Sequence, residues 1–309
     1  MISRKLYSLK ITRDVFEKHP RIPHTQLHRI IKEKTGIKMR DTTERYINEG
    51  YDKAIIRPPR PILRYHSNKH QHISFVEGNL LDFENIIEDV KNIRYACALT
   101  GNSEKIMVTS FSYPGRDLFF LGYTRADGFD SSEHHCLKRL EFSSDEEPIL
   151  IDVPSPTLQW DSKDWDLFHV LSPNMRLPYS ILSKNKIINL GWRAIKNRME
   201  KNIFPVCDVA AYFFPKGQNN YQQLFLQFKT EYQKNLLEKL NYLQTTSYFL
   251  LFGRGEVGMF VFPENMNNVL KIFKKIEMEG IIDDFQYFLP LEWSHCDLGR
   301  PWASSASSS

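Results

Sequence analysis

The second half of this 309-residue chain repeats the plan of the first half. The segment 21–27 (Arg-Ile-Pro-His-Thr-Gln-Leu) reappears as 176–182 (Arg-Leu-Pro-Tyr-Ser-Ile-Leu), at an offset of 155 residues. An apolar run that ends in Gly101 reappears as a run that ends in Gly253, and a further glycine follows each of them by 27 residues. Because the matches keep one order at nearly one offset, they predict a tandem duplication in which each half is one complete unit.

Composition limits the class of protein. Hydrophobic residues make up 41% of the chain and charged residues 25%, as in globular proteins. The sequence contains no apolar run long enough to span a membrane, and its N-terminus lacks the apolar core of a signal peptide. Its four cysteines are widely spaced and form no Cys-x-x-Cys pair. These features predict a cytoplasmic protein with reduced thiols and no membrane partner.

Positive charge is concentrated at the N-terminal end. Residues 1–72 hold 17 Lys and Arg against 7 Asp and Glu, whereas the remainder holds 24 against 30. Clustered cations favour a polyanionic partner, because binding to a phosphate backbone releases counterions. An ordinary solvated helical surface is the alternative explanation.

Both halves begin with a pattern of three short helices. In the first half, the third helix is expected over 39–49, and a Pro-rich basic stretch over 54–63 follows as an extended ribbon. In the second half, the third helix is expected over 191–201, with Trp192 in the core. Three helices followed by a ribbon outline a winged helix-turn-helix, although a packing module that binds nothing has the same pattern.

This interpretation assigns DNA contacts to the exposed side chains of the third helices and of the wing. Arginine and asparagine can read base edges, and wing cations can contact phosphates. In the first half the expected DNA-binding residues are Lys38, Arg40, Thr43, Arg45, Arg57, Arg60 and Arg64. In the second half they are Arg193, Lys196, Asn197 and Arg198.

After each helical module, the pattern predicts a βαββαβ sandwich of the ferredoxin-like type. In the first half the last two elements are expected to be a helix over 116–124 and a strand over 133–140. The predicted fold class is therefore α+β, with two tandem units of winged helix-turn-helix plus ferredoxin-like domain. The expected domains are 1–68, 69–142, a linker over 143–156, 157–218, 219–293 and a tail over 294–309.

On these residues, each half resembles one subunit of the Lrp/AsnC family of transcription regulators. The motif at 176–182 and the helix after it carry the resemblance best. The resemblance implies an effector-sensing (RAM) domain with a Gly-x-x-Asp turn between its second and third strands. Glutamate replaces the aspartate here, and the implied effector-binding residues are Gly101, Glu104, Gly253 and Glu256. An amino acid is the kind of effector that the family suggests.

The predicted function is a sequence-specific DNA-binding regulator, with double-stranded DNA as partner and with no catalytic residue, cofactor or metal. The two units could form a pseudo-dimer within the chain or pair between chains. Two alternatives stay open: a sirohaem decarboxylase-like enzyme built on paired Lrp-like units, and a DNA-compacting protein. The two His-Cys pairs do not occupy equivalent positions of the repeat, so no metal site is expected among the histidines and cysteines that could act as ligands, which are His66, His70, His72, His134, His135, Cys136, His295 and Cys296.

Overall fold

The computed structural model describes residues 3–89, 93–111, 114–143, 145–253, 255–294, 296–297 and 300–301. The helices are α1 Arg4–Lys18, α2 His24–Thr35, α3 Arg40–Asp52, α4 Leu80–Asp89, α5 Glu133–Lys138, α6 Ser162–Leu171, α7 Tyr179–Leu182, α8 Trp192–Arg198, α9 Gln233–Leu240 and α10 Met266–Met278. The strands are β1 Arg60–Leu63, β2 Gln71–Glu77, β3 Ile93–Gly101, β4 Lys105–Ser110, β5 Arg116–Tyr123, β6 Cys207–Ala210, β7 Leu224–Lys229, β8 Tyr248–Phe252, β9 Glu256–Val261, β10 Asp283–Ser294, β11 Cys296–Asp297 and β12 Arg300–Pro301.

Eight strands form one closed antiparallel barrel in the order β10-β3-β4-β2-β5-β8-β9-β7, with β7 bonded back to β10. The two halves join at two seams, where β10 pairs with β3 and β5 pairs with β8. The expected fold of two separate ferredoxin-like units is therefore wrong. Each sheet alone would have open edges, and pairing between the halves satisfies those backbone groups within one chain.

The two halves contribute four strands each in the same relative order, β3-β4-β2-β5 and β8-β9-β7-β10. They differ in what joins the last two of these strands along the chain. In the second half α10 lies between β9 and β10, whereas in the first half β5 begins six residues after β4 ends. The helix expected over 116–124 is strand β5, and the strand expected over 133–140 is helix α5. The run Leu118–Leu121 is apolar at consecutive positions, and such a short run does not distinguish a helix from a strand.

The barrel is filled by side chains and is not a pore. Its interior is rich in aromatic residues, among them Phe75, Phe225, Phe252, Phe260 and Phe288. A second apolar cluster lies on the outer face of the second half, where α9 and α10 pack on β7, β8 and β9. A smaller cluster on the first half packs under α4, against β3 and β4. No helix in the described part of the chain is long and apolar enough to cross a membrane.

The three-helix sets α1–α3 and α6–α8 form where the sequence predicts them, but neither is followed by a wing of its own. Strand β1 of the first half pairs antiparallel with β6 of the second half, from Arg60 opposite Ala210 to Leu63 opposite Cys207. The core of the first helix set includes Phe213 of the second half, and that of the second set includes Leu63. The expected pair of winged helix-turn-helix units is therefore wrong, because each module is completed by the other half.

A reciprocal arginine contact joins the two helix sets. The Arg21 guanidinium donates to the carbonyl oxygens of Met175 and Leu177, and Arg176 donates to those of Pro20 and Ile22. Residues 20–22 and 175–177 correspond at the offset of 155, so the arginine of each repeat donates to the equivalent backbone carbonyl oxygens of the other repeat. The repeated Arg-x-Pro motif thus joins the two halves within one chain, and the domain boundaries given above remain a prediction.

Candidate functional site

A largely apolar pocket of about 230 Å³ lies between the barrel and the helical layer. Its walls come from β1, from β5, from the segment 64–71, from the segment 152–156 and from the turn before β6. The apolar walls include Leu63, Phe111, Leu118, Phe120, Val153 and Pro205. The polar groups on the lining are Arg64, Tyr65, His66, His70, Gln71, Asp152 and Asp208. A mainly apolar cleft with a few convergent polar groups is the usual form of a ligand site.

The strand register builds a histidine–carboxylate cluster beside this pocket. His72 of β2 stands directly opposite Asp117 of β5, and His70 precedes His72 by two residues, so that it projects to the same face. Ile73 alternates with His72 and points into the barrel, which places the cluster on the outer face. The distance from Asp117 Oδ1 is 3.1 Å to His70 Nε2 and 3.2 Å to His72 Nδ1.

Hydrogen bonds from the segment 64–70 orient these groups. His66 Nδ1 lies 2.7 Å from the carbonyl oxygen of Arg64, and His70 Nδ1 lies 3.0 Å from that of His66. Because a carbonyl can only accept, both Nδ1 atoms carry hydrogen. The Tyr65 ring packs on the His70 ring with centroids 4.7 Å apart, and its hydroxyl lies near the Asp117 carboxylate. Desolvation, followed by the nearby Asp117 carboxylate, raises the pKa of Tyr65.

The first half lacks the helix that covers the corresponding face in the second half. There α10 packs on β7 and β10, through Phe273 against Phe228 and Phe285. In the first half the described residues between β4 and β5 contain no helix, and the segments 64–70 and 152–156 lie nearby instead. The pocket and the cluster therefore occur where the duplicated plan loses a helix.

The residues expected to read DNA from the first half are bound within the protein or lie apart from the pocket. Thr43 is 2% exposed and hydrogen-bonds to His28, so it cannot contact a base. Arg40 pairs with Glu44 and Arg45 with Glu49 along α3, while Lys38 is exposed.

The arginines expected on the wing lie at the junction of the two halves. Arg64 donates to Asp208 and to the carbonyl oxygens of Pro205 and Cys207. Arg57 is half-buried and donates to Gln218, and its pKa is lowered by burial and then by the neighbouring Arg60. Arg57 and Arg64 therefore bond to the second half of the chain and are not on a free ribbon. Of the three arginines, Arg64 is the one among the residues that line the pocket.

In the second half, Arg198 bonds to Asp161 and to buried Asp164, which cap α6. Hydrogen bonding from Arg198 and from backbone N–H groups lowers the pKa of Asp161, so this contact serves the fold. Arg193 lies over the ring of Trp192, Lys196 faces Glu200, and Asn197 is exposed. Trp192 is 52% exposed, so its expected place in the core is wrong.

The four residues expected to bind an effector lie in two separate turns. Gly101 and Glu104 flank the β3–β4 turn, while Gly253 and Glu256 flank the β8–β9 turn. Glu256 is paired with Arg116, and Gly101 packs against the backbone of Tyr287. None of the four is among the described residues that line the pocket.

Of the histidines set aside as metal ligands, His70 and His72 do belong to a cluster. The spacing His-x-His on a strand was a usable signal, but Asp117 is 45 residues further on, and only the strand register identifies it. His134 and His135 lie on α5, with no third ligand grouped with them in the described part of the chain. His295 and the side chain of Cys296 lie outside the described residues.

No family model matches the chain, and comparison with characterised proteins by sequence gives no match. Two solved structures resemble it in fold. The crystal structure of the siroheme decarboxylase NirDL is 9% identical, covers 93% of this chain and 91% of its own, and gives a TM-score of 0.47. The same protein in co-complex with an iron-uroporphyrin III analogue gives 10% identity, 92% and 90% coverage and a TM-score of 0.46.

These findings correct the predicted function. The matching structures are those of an enzyme and not of a transcription regulator, and no Lrp/AsnC family model matches. Membership of that family, double-stranded DNA as the partner, regulation of transcription and the absence of enzymatic activity are therefore all withdrawn. Arg57, Arg64 and Arg198, which were expected on DNA, bond to Gln218, Asp208 and Asp161 of the same chain, in agreement with this correction.

Proposed function

We propose that the pocket binds a flat, largely apolar ligand that carries carboxylates, and that the protein decarboxylates a tetrapyrrole of this kind in the cytoplasm. The observation that carries the proposal is the combination, in one pocket, of apolar walls with the His66 imidazole and the Arg64 guanidinium. At about 230 Å³ the pocket holds one edge of a macrocycle. One carboxylate-bearing side chain would enter, and the rest of the ring would lie across the mouth.

Decarboxylation at such a side chain needs few protein groups. The bond between the carboxylate and its neighbouring carbon breaks, carbon dioxide leaves, and the electron pair is delocalised into the conjugated ring. The carbon then takes up one proton. The imidazolium form of His66 would supply this proton from Nε2, because its Nδ1–H is fixed on the Arg64 carbonyl oxygen and Nε2 is left for proton transfer.

Arg64 would supply only part of the interaction with a carboxylate of the ligand. Its guanidinium already donates to Asp208 and to two carbonyl oxygens, but its side chain is 51% exposed. Its charge lies at the rim of the pocket, where it can orient an anion without being desolvated.

The first test is a spectroscopic titration of the untagged protein with iron-uroporphyrin III, which combines a flat ring with peripheral carboxylates. We expect a shifted Soret band and saturable binding. Val153→Trp, which fills the pocket, should abolish the shift, whereas Ile187→Trp on an exposed surface is the matched control. Binding of equal strength to both variants would contradict the proposed site.

The second test is anaerobic incubation with sirohaem, followed by mass spectrometry of the tetrapyrrole. We expect loss of carbon dioxide from an acetate side chain. His66→Gln should keep the ligand bound and slow the reaction by about 10²–10⁴-fold, the usual contribution of a general acid. Tight binding of the tetrapyrrole without any loss of carbon dioxide would show that the protein binds the ligand and would exclude the decarboxylase activity.

A further inference from the structure

We propose that His70, His72 and Asp117 bind one divalent cation of the first transition row, with Zn²⁺ as the simplest occupant. The site lies on the outer face of the barrel at the edge of the pocket. This inference does not depend on the decarboxylase proposal, because it rests on the geometry of the cluster alone.

The cluster offers three ligand atoms that face one another. One ligand atom from each residue can be chosen so that all three lie within 4.8 Å of one another. Both imidazoles face the same carboxylate oxygen, at 3.1 and 3.2 Å. Ligands of a tetrahedral zinc ion, each about 2.0–2.2 Å from the metal, lie at comparable separations, so small side-chain rotations suffice.

The surrounding hydrogen bonds prepare the ligands. His70 donates its Nδ1–H to the His66 carbonyl oxygen, which leaves the Nε2 lone pair directed at the site. Tyr65 packs on the His70 ring, with centroids 4.7 Å apart, and its pKa is raised by desolvation and then by the nearby Asp117 carboxylate, which places the hydroxyl beside that ligand. Metal-binding histidines generally donate their other N–H to an oxygen in this way, and metal-binding carboxylates are themselves hydrogen-bonded.

One atom of the cluster is left unsatisfied by the protein. His72 Nδ1 is buried and forms no hydrogen bond within the described residues. It lies 3.2 Å from the Asp117 carboxylate, but it is not aligned for a hydrogen bond to it. A buried polar atom without a partner is unfavourable for the folded state, and a bound cation would use this lone pair.

The donor set selects the class of ion. Two imidazoles and one carboxylate suit Zn²⁺, Fe²⁺, Co²⁺ or Ni²⁺, whereas Ca²⁺ and Mg²⁺ prefer oxygen ligands. Three protein ligands leave at least one coordination position open, which is typical of catalytic and not of structural zinc sites. Because His70 also lines the pocket, a ligand bound there would be within reach of that position.

The experiment uses the full-length, untagged protein after treatment with a chelator. Co²⁺ is added while visible absorption is recorded, and Zn²⁺ is measured by elemental analysis after dialysis. We expect one ion per chain and d–d absorption bands that identify a tetrahedral or five-coordinate site. Zn²⁺ should also raise the melting temperature, because a ligand that binds only the folded state stabilises it.

Variants decide whether this cluster is responsible. His72→Leu and Asp117→Asn should abolish the stoichiometric ion and the zinc-dependent rise in melting temperature. The double variant His134→Gln/His135→Gln, which removes an exposed histidine pair on α5, should retain both. Circular dichroism shows whether each variant is folded. Asp117→Asn is isosteric with the wild type, so it provides the test if His72→Leu does not fold.

Two results would overturn the proposal. One is no ion retained by the wild-type protein. The other is an ion retained equally by the folded His72→Leu and Asp117→Asn variants. Failure of tetrapyrrole binding would leave it intact, because neither readout uses that ligand.

Discussion

The reciprocal contact between Arg21 and Arg176 gives the sharpest prediction about stability. In Arg176→Ala the carbonyl oxygens of Pro20 and Ile22 lose donors at 3.0 and 3.1 Å, and the Phe16 ring loses a guanidinium 4.5 Å from its centroid. Burial lowers the pKa of Arg176, which shows that holding the charge there already has a desolvation cost. The measured effect is the net of these contributions.

The magnitude follows from the number of groups left without a partner. Each part-buried carbonyl oxygen left unsatisfied costs about 1–3 kcal/mol, and the cation–π contact adds about 1 kcal/mol. After relief of the desolvation cost, we expect Arg176→Ala to lose about 3 kcal/mol. At about 2–4 °C per kcal/mol for chains of comparable size, the melting temperature should fall by roughly 6–12 °C.

Urea unfolding followed by tryptophan fluorescence measures this loss. Arg21→Ala should be nearly as costly, because Arg21 makes the equivalent contacts and lies over Tyr179 at 4.3 Å. The double variant should lose less than the sum, since either change opens the same interface. Arg29→Ala, an exposed site on α2, is the matched control. A loss below about 1 kcal/mol, or one equal to the control, would refute this account of how the halves are joined.

Two further predictions concern titratable groups. Cys97, Cys136 and Cys207 are buried, and burial raises the pKa of Cys97 to about 12 and that of Cys136 to about 11. We therefore expect none of these three thiols to react with a disulfide reagent at pH 8 until the protein unfolds. Rapid reaction of two or more thiols in the native protein would contradict this. Burial, and then the Arg94 charge, lowers the pKa of His169 to about 4, so below about pH 6.5 the unfolded chain binds a proton at this residue that the folded chain does not bind. The free energy of unfolding should therefore decrease as the pH falls from about 6.5 to about 4. His169→Gln, which can still accept a hydrogen bond from Arg94, should show a flatter pH dependence in urea unfolding.

Local patterns predicted most individual elements but not their assembly. The helical stripes of α1–α3 and the strands of the second half were identified because each carries its own periodicity or apolar run. Which strands pair across the two halves depends on contacts such as β10 with β3, and no local pattern encodes them. Two independent sheets and one shared barrel would contain the same strands and helices in the same order along the chain, so that order does not distinguish them.

The contacts of the side chains that were expected to bind DNA show the same limit. Exposed cations were assigned to DNA because position on a helix gives only the side that a residue faces. It does not reveal that Asp161 and Asp164 would bind Arg198, or that Asp208 would bind Arg64. The net positive charge of the N-terminal part is real, yet much of it stabilises contacts within the chain. Tertiary ion pairs of this kind cannot be recovered from composition.

The difference between the repeats explains why a site can exist in one half only. At the offset of 152, His70 and His72 correspond to Gln222 and Leu224, and because Phe225 pairs with Phe288, the residue opposite Leu224 is Leu289. Gln222 accepts from the first N–H of α10, and Leu224 is buried beneath the helical layer. The second half thus uses these positions to hold its helix.

The first half, which lacks that helix, places imidazoles and a carboxylate on the open face. Duplication therefore leaves one copy of the outer face covered by helices that stabilise the barrel, while the other copy carries the pocket and the histidine–carboxylate cluster. A closed barrel makes this division possible, because the covered half supports the strands of the open half through both seams. The stoichiometry of one ion per chain, and not two, follows directly from this asymmetry.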